Sequence, residues 1–451
     1  MRCESLVLAA GLGTRMKSEV PKVLHPLGGR AMLTWVVEAC KYATGRPPFV
    51  VVPPETHQAI EAAGEQVECI VQEERLGTAH AVMQAREALQ GRSDLLLVAY
   101  SDMPLLRGET LRSLLRAQET NPGPFTLLTM HSAHSRGFGR IQRDENGQVV
   151  GIVEEAHATA EQLAIQELNV GAYCFRSDWL WDRLPSLQLS PKGEYYLTDL
   201  VSLAAKESVA VGSIQVVDQD EVIGINTREH LAQAEAALRR RINRHWMREG
   251  VTLLDPATTY IGPAVQIGQD SVVLPNTHLE GGTVVGRTCR LGPNTVVRDS
   301  TIGDRCSVVA SVVEEARLDE EVHIGPFAHL RRGAHLCRGV HMGNFGEVKN
   351  STLGPGVRMG HFSYVGDATI GPGANVGAGT VTCNYDGKQK HRTEIEEGAF
   401  IGSDTMLVAP VRIGRGSRTG AGSVVTRDVP DWSVAAGVPA RVIRRLKESD
   451  E

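Results

Sequence analysis

A glycine-rich turn followed by cations stands near the amino terminus: Leu8-Ala9-Ala10-Gly11-Leu12-Gly13-Thr14-Arg15-Met16, then Pro21-Lys22. Such a turn lets backbone N–H groups approach phosphate oxygens, and a helix beginning there would add its positive end. Arg15 and Lys22 would neutralise a triphosphate and its leaving pyrophosphate. The glycines alone are weak evidence, because a tight turn uses the same letters and the third glycine of the dinucleotide fingerprint is missing. Asp102 lies just past the apolar run Leu95–Tyr100. Ligands of open α/β sheets gather at the carboxyl ends of strands, and a hard carboxylate there suits Mg2+. Position alone fits a loop or capping aspartate equally well. Much later, Arg331 and Lys349 stand 18 residues apart, and His361 follows in Met359-Gly360-His361-Phe362-Ser363-Tyr364. Two stacked cations would grip a phosphate, although two solvated surface charges give the same spacing. A histidine can take a proton from an attacking amine. This chain has 15 histidines, so one alone is more often structural.

The elements that must position these residues come in two styles. In the first half, the apolar runs Ser5–Ala10, Phe49–Pro53, Val67–Gln72, Leu95–Tyr100 and Thr126–Met130 alternate with helical patterns at Ala31–Ala43, Thr78–Leu89 and Glu109–Glu119. That alternation predicts a mostly parallel α/β sheet. Thr227 is a candidate N-cap, Leu231, Ala234, Leu238 and Ile242 recur at helical spacing, and Gly250 is a candidate stop. The organisation expected is a first domain over 1–226, a joining helix over 227–250 and a second domain over 251–451.

The second half is written in sixes. Ile261, Ile267, Val273, Leu279, Val285, Leu291 and Val297 stand six apart, the phase slips at Ile302, and Ile324, Leu330, Leu336, Met342 and Val348 resume it. Glycine often follows the aliphatic residue, as in Ile267-Gly268 and Leu291-Gly292. A six-residue repeat of this length predicts a parallel β-helix. Each aliphatic residue points inward, three repeats make one coil, and residues 18 apart stack. Arg331 and Lys349 then project from the same face of adjacent coils. The repeat breaks from Thr382 to Glu394, so that polar and basic segment should leave the coil as a loop.

Composition sets limits. With 42% hydrophobic residues, 22% charged residues and a formal charge of −6, nothing favours nucleic acid or an anionic membrane. The Arg239–Arg241 run falls in the predicted helix and reads as a solvated face. No apolar run is long enough to span a bilayer, and the first residues do not read as a signal peptide. The eight scattered cysteines form no CxxC pair, which points to reduced thiols in a cytoplasm and against structural zinc.

The full string GxGTRM followed by Pro21-Lys22 resembles the signature of nucleoside-diphosphate-sugar pyrophosphorylases. The order of motifs through both halves resembles the bifunctional N-acetylglucosamine-1-phosphate uridylyltransferase/glucosamine-1-phosphate N-acetyltransferase family. That resemblance implies an N-terminal nucleotidyltransferase followed by a left-handed β-helix. It implies acetylation of glucosamine 1-phosphate by acetyl-CoA, then Mg2+-dependent uridylyl transfer from UTP with release of pyrophosphate.

Carried over residue by residue, the resemblance implies that Leu8, Ala9, Ala10, Gly11, Lys22, Gln72, Gly77, Thr78, Tyr100, Ser101 and Asp102 bind the uridine nucleotide sugar, with Arg15 and Lys22 catalytic. Gly139 in GFGR, Glu154 in GIVEE, Asn169 in QELNVG and Asn226 complete that site, and Asp102 with Asn226 would hold Mg2+. Gln72 with Gly77-Thr78 resembles the uracil-reading segment. The segment Glu194–Asp199 matches another family stretch and reads as structural.

In the second half the string resembles GHxxYxGD, making His361 the general base. Arg331, Lys349, Tyr364 and Asn375 would bind the sugar phosphate, with Glu347 orienting the amine or His361. Ala378, Asn384, Tyr385, Ser403 and Ala421 would contact acetyl-CoA. This chain has Ser101 where the family often has glycine, Arg332 in place of a common proline, and Gly437 where enterobacterial relatives hold the cofactor phosphate with an arginine. Arg441 is then the expected substitute. The family also implies a cytoplasmic homotrimer with small-molecule substrates. The alternatives are a uridylyltransferase whose β-helix only oligomerises, a non-enzymatic nucleotide-sugar sensor, and a relative preferring galactosamine or a thymidine nucleotide.

Overall fold

The computed structural model describes residues 1–62, 67–133 and 137–447. The chain divides into two compact units, Met1–Leu238 and Arg239–Glu451. The strands of the first unit's main sheet are β1 (Cys3–Leu8), β2 (Phe49–Val52), β3 (Glu68–Val71), β4 (Leu95–Tyr100), β5 (Phe125–His131), β6 (Arg140–Arg143), β7 (Val149–Val153), β8 (Glu167–Arg176) and β9 (Gly212–Gln215). Their order is β9-β5-β8-β4-β1-β2-β3, with β6 joining β8 and β7 at the side. The β1, β2, β3 and β4 pairings are parallel, as is β9 with β5. Strand β8 is antiparallel to both β4 and β5.

The expected parallel core is therefore present around β1, but an antiparallel strand is inserted beside β4. Both faces are covered. Leu33, Val36 and Cys40 of helix α1 (Met32–Thr44) and Leu111 and Leu114 of α2 (Gly108–Thr120) pack on one face. Ala79 and Val82 of the Thr78–Gln84 helix pack on the other. Burial on both faces is why these strands read as continuous apolar runs rather than alternating ones.

A long helix, α3 (Arg228–Arg248), follows. Thr227 caps it, its Oγ1 accepting from the His230 N–H at 3.2 Å. Gly250 ends it with φ +88°, a conformation open mainly to glycine. Within the first unit, Glu235 accepts from the Gly28 N–H at 2.7 Å. Within the second, Ile242 and Trp246 pack against the β-helix core, and Asn243 Nδ2 donates to the carbonyls of Pro256 and Thr259.

Among the described residues, the second unit forms sheets of 12, 10 and 9 strands, here called the first, second and third faces. Neighbouring coils pair in parallel until the closing hairpin of Ser433–Gly437 with Ala440–Arg445. The aliphatic residues of the repeat fill the interior: Leu330, Leu336, Met342, Val348, Leu353 and Met359 are fully buried. Each such burial contributes about 1.5–3 kcal/mol.

The steps between coils are less regular than the repeat suggests. Ile261 pairs with Leu279 and Leu279 with Val297, as expected for steps of 18. Then Val285 pairs with Ile302, a step of 17, and Val297 with Val313, a step of 16. A corner can lose a residue without turning the inward position outward, so the phase survives the slip. Between Ile370 and its partner Ile395 the step is 25. The excess leaves the coil after Cys383 as a turn bridged from Tyr385 to Lys390, as the broken repeat predicts. Glycine after the aliphatic residue has a steric reason: a Cβ on Gly268 would lie 2.6 Å from the Gly286 backbone of the next coil.

Candidate active sites

In the first unit, β1 and β4 end side by side with β3 two strands beyond β1, and the carboxyl ends of the three open a cavity of about 430 Å3. Eleven expected residues line it. The turn supplies Leu8, Ala9, Ala10 and Gly11, and Lys22 closes one side. Gln72, Gly77 and Thr78 form the opposite wall, and Tyr100, Ser101 and Asp102 continue from β4.

Each part is locally fixed. The Ser101 N–H donates to the Leu8 carbonyl, tying the ends of β4 and β1 together. Gly77, at φ +98°, lies so close to Tyr195 that a Cβ would meet its carbonyl oxygen at 2.6 Å. The buried Gln72 amide donates to His80 Nδ1 at 2.9 Å.

Asp102 and Asn226 come together although 124 positions separate them. The Ile225 N–H donates to the Asp102 carbonyl at 2.8 Å, which brings the following Asn226 alongside. Lys22 Nζ then bridges the two, 3.2 Å from Asp102 Oδ2 and 2.9 Å from Asn226 Oδ1. Two hard oxygens therefore converge on one cationic group, at the edge of the cavity. Such a donor pair fits Mg2+, which commonly takes one or two protein oxygens and completes its shell with phosphate and water. Gly13 makes this arrangement possible: its φ is +63°, and a Cβ there would strike Lys22 Cβ at 2.7 Å.

The glycine-rich turn does not open a long helix. It enters only the three-residue turn Thr14–Met16, so no helix macrodipole points at the cavity from there. Arg15 sits on that turn, exposed and outside the cavity lining.

A second cavity, sharing Thr78, Tyr100 and Tyr196 with the first, contains Glu154. Burial lifts the Glu154 carboxyl above its ordinary range, against the opposing hydrogen bond from Thr198. Asn169 donates to the Tyr173 hydroxyl at 2.7 Å, and its own N–H donates to the Gly139 carbonyl. Tyr173 in turn packs edge-on against Tyr100. Glu194 and Tyr196, read from sequence as structural, line the cavity as well. The backbone of the same segment anchors α-helical Ala79, whose N–H donates to the Tyr195 carbonyl, so this stretch does both.

The Glu154 environment gives a pH prediction. A raised carboxyl pKa means the folded state holds that proton more tightly than the unfolded one. Stability is then lost as pH rises from the ordinary carboxylate range through the folded value. Glu154→Gln is expected to raise Tm at pH 7 and to leave it unchanged below about pH 4, where both states are protonated. Thermal melts at the two pH values check this.

In the second unit the expected acetyltransferase residues fall into two groups. One lies at the corner between the first and second faces. His361, Asn375, Ala378, Ser403 and Ala421 line a cavity of about 650 Å3, with Arg358 on its wall. The other lies at the opposite end of the second face. The Leu330–Val348 pairing places Arg331 beside Lys349 on the next coil, as the 18-residue spacing predicts. Arg331 Nη1 donates to Glu347 Oε1 at 2.8 Å, and Glu347 pairs in register with Tyr364. Asn384 donates to Asp367, which also accepts from Asn350.

The two groups are not one pocket. His361 precedes Ser363, which pairs with Gly346, whereas Lys349 closes that same strand. The strand from Gly346 to Lys349 alone separates them by about 10 Å. The Arg331–Lys349 stack therefore does not lie beneath His361 in one chain. Glu347 holds Arg331 rather than His361.

Sequence reasoning missed one cation in the second group. The Lys349 ammonium is pushed below its ordinary range, first by Lys390 and then by Arg331. Three cations thus share one small region, an arrangement suited to a dianion. Lys390 comes from the excursion loop, where only its basic composition was a signal. In the closing hairpin, Gly437 has φ +105°, a conformation that other residues rarely adopt. An arginine side chain is therefore disfavoured at that position. Arg441 pairs across the closing hairpin with Ala436, donates to its own strand at the Ala440 carbonyl, and is not among the residues lining the 650 Å3 cavity.

Comparison with known proteins places both units. Residues 5–249 match the MobA-like NTP transferase domain, and residues 264–299 and 392–427 match the bacterial transferase hexapeptide (six repeats). The chain is 44% identical over 448 residues to the bifunctional protein GlmU of Pelobacter propionicus, covering 98% of this chain and 96% of that one. It is 44% identical to the bifunctional protein GlmU of Exiguobacterium sp., covering 96% of each. The bifunctional protein GlmU of Thermotoga petrophila is also 44% identical, covering 98% of this chain and 97% of that one. Among solved structures, a CMP:2-keto-3-deoxy-manno-octonic acid synthetase complexed with CTP aligns with 53% of this chain and 100% of its own, at a TM-score of 0.42 and 16% identity.

Proposed function

The chain belongs to the family of bifunctional GlmU proteins, and from that premise we propose the chemistry of its two units. Residues 1–226 are the uridylyltransferase, 227–250 the joining helix and 251–451 the acetyltransferase. The enzyme acetylates glucosamine 1-phosphate and then converts N-acetylglucosamine 1-phosphate and UTP to UDP-N-acetylglucosamine and pyrophosphate. The substrates are small molecules of the cytoplasm, and no helix among the described residues is long and apolar enough to cross a membrane.

The observation that carries the first activity is the convergence of Lys22, Asp102 and Asn226 at the mouth of the nucleotide cavity. Uracil lies against Gln72, Gly77 and Thr78, and the triphosphate follows the Gly11 turn. Asp102 and Asn226 would hold Mg2+, which would supply neutralisation of the phosphate charge. Lys22, released from those two oxygens, turns to the phosphates and steadies the charge that grows on the leaving pyrophosphate. Arg15 reaches the same phosphates from its exposed turn. Gly139, Glu154 and Asn169 surround the N-acetylglucosamine and present its phosphate oxygen to the α-phosphorus.

For acetyl transfer, His361 removes a proton from the sugar amine, which attacks the thioester carbonyl and expels the thiolate of CoA. The C–S bond breaks as the C–N bond forms, and His361 returns the proton it took to the departing sulfur, so CoA leaves as the free thiol. Asn375 positions the sugar, and Ala378, Ser403 and Ala421 line the path of the acetyl-CoA arm. Arg331, Lys349 and Lys390 grip the sugar phosphate, beside Tyr364, Asn384 and Tyr385. Arg358 and Arg441 are the cations available to the CoA phosphates.

Because the two residue groups are separated in one chain, the acetyltransferase site is completed by a neighbouring subunit of a homotrimer. One subunit supplies the His361 corner and the next supplies the Arg331–Lys349–Lys390 cluster. The test is to mix glucosamine 1-phosphate with acetyl-CoA and follow free thiol, first with the wild-type chain and then with reassembled mixtures. His361→Ala and Arg331→Ala proteins, each inactive, should regain about a quarter of wild-type activity when their subunits are mixed. That is the fraction of trimer interfaces pairing two intact halves. Recovery of nothing would place both groups on one subunit's site, and absence of thiol release from the wild type would leave the β-helix as an oligomerisation module only.

A further inference from the structure

The third face of the β-helix carries a group of side chains that neither activity uses. Arg317–Leu318 and His335–Leu336 are paired strands on adjacent coils, with Leu318 opposite Leu336 and both buried. In a strand, residues two apart point to the same side. With the leucines inward, Arg317 and Asp319 face outward on one coil, and His335 and Cys337 on the next. The Asp319 N–H donates to the Leu336 carbonyl at 2.8 Å, which sets Asp319 beside Cys337. On the following coil the position beside Cys337 is Gly354, which adds no side chain to the group.

The donor atoms of Asp319, His335 and Cys337 all lie within 4.8 Å of one another. His335 Nε2 is 3.1 Å from Asp319 Oδ1. Bonds of about 2.0–2.3 Å to a tetrahedral ion put neighbouring donors roughly 3.3–3.7 Å apart, so one edge is already close to that spacing. We propose that Asp319, His335 and Cys337 form a three-donor site for a borderline-soft divalent transition ion of the Zn2+ class, with a fourth position open to water.

The donor chemistry selects the ion. A thiolate and an imidazole favour Zn2+ or Co2+ over Mg2+ and Ca2+, which take oxygen. Binding releases the Cys337 thiol proton to solvent and moves the His335 ring proton to Nδ1; no electrons are exchanged. The backbone is already fixed by coil-to-coil hydrogen bonds, so only side-chain rotations are needed. Arg317 competes, since its Nε donates to the same Asp319 Oδ1 at 3.1 Å. An ion here would staple the coil bearing Asp319 to the coil bearing Arg331 and His335.

The full-length protein, stripped with a chelator, should be titrated with Co2+ alone. The expected result is one tetrahedral Co2+ per chain, marked by its visible bands and an ultraviolet thiolate-to-cobalt band, neither of which an ion on the Asp102 and Asn226 oxygens would give. Cys337→Ser should abolish the ultraviolet band, and His335→Ala should weaken binding by about tenfold or more. Arg317→Ala should tighten it by freeing the carboxylate, an effect that loss of a merely structural ion pair would not produce. Zn2+ should displace Co2+ and raise Tm in the wild type but not in Cys337→Ser. Absence of a thiolate band, or a band that survives Cys337→Ser, overturns the site.

Discussion

His361→Ala is expected to reduce acetyl transfer by about 10^2 to 10^4-fold, the usual worth of a positioned general base, while uridylyl transfer stays at the wild-type rate. His361 lines the 650 Å3 cavity together with Asn375, Ala378 and Ser403. Among the described residues, no other histidine except His341 lines that cavity. His341 lies two coils below Asn375 on the first face, paired through Arg358, so it is not placed to take over. The effect should fall on kcat, with little change in KM for acetyl-CoA, because the cavity wall is left intact. Free-thiol release measures one activity and pyrophosphate release from UTP and N-acetylglucosamine 1-phosphate the other. A folded variant that lost both would contradict separate sites.

Asp102→Ala is expected to do the converse, lowering uridylyl transfer by about 10^3-fold and sparing acetyl transfer. That size corresponds to roughly 4 kcal/mol of lost charge stabilisation at the phosphates. Asp102 has two partners with different consequences. Its carboxylate meets Lys22, while its backbone carbonyl accepts from Ile225. The alanine variant removes the first and keeps the second, so Asn226 should stay in place and the fold should hold. Raising Mg2+ should partly restore the rate, since Asn226 still offers one oxygen. Failure of Mg2+ to change the rate of either protein would argue against the metal role given to Asp102 and Asn226.

Much of this protein is legible in one dimension. The β-helix is written in the sequence because its packing requirement is local and repeated: an aliphatic residue inward, and a small one where the next coil passes closely, as at Gly268. The nucleotide cavity was equally legible, since strand β4 ends where its apolar run ends and β1 ends two residues before the end of its run. Leu8 to Gly11 and Tyr100 to Asp102 therefore had to meet if the strands were neighbours. The helix cap at Thr227 and the stop at Gly250 follow from the same local chemistry.

What sequence pattern could not supply is register and partnership at a distance. Strand Glu167–Arg176 is buried like its neighbours, and nothing in its composition says that it runs antiparallel to both. Arg15 belongs to the signature, yet it sits exposed on a three-residue turn and outside the cavity lining. Coil steps of 16, 17, 18 and 25 decide which outward residues become neighbours, because each corner absorbs a different number of residues while the inward phase is kept. Those steps put Lys390 beside Lys349, bring Asp319, His335 and Cys337 together, and hold His361 apart from the Arg331–Lys349 pair. The sequence by itself determined which faces are buried and which motifs are present, since burial is set residue by residue. Only the tertiary structure decided which of those motifs share a site, since that depends on the summed lengths of all the turns between them.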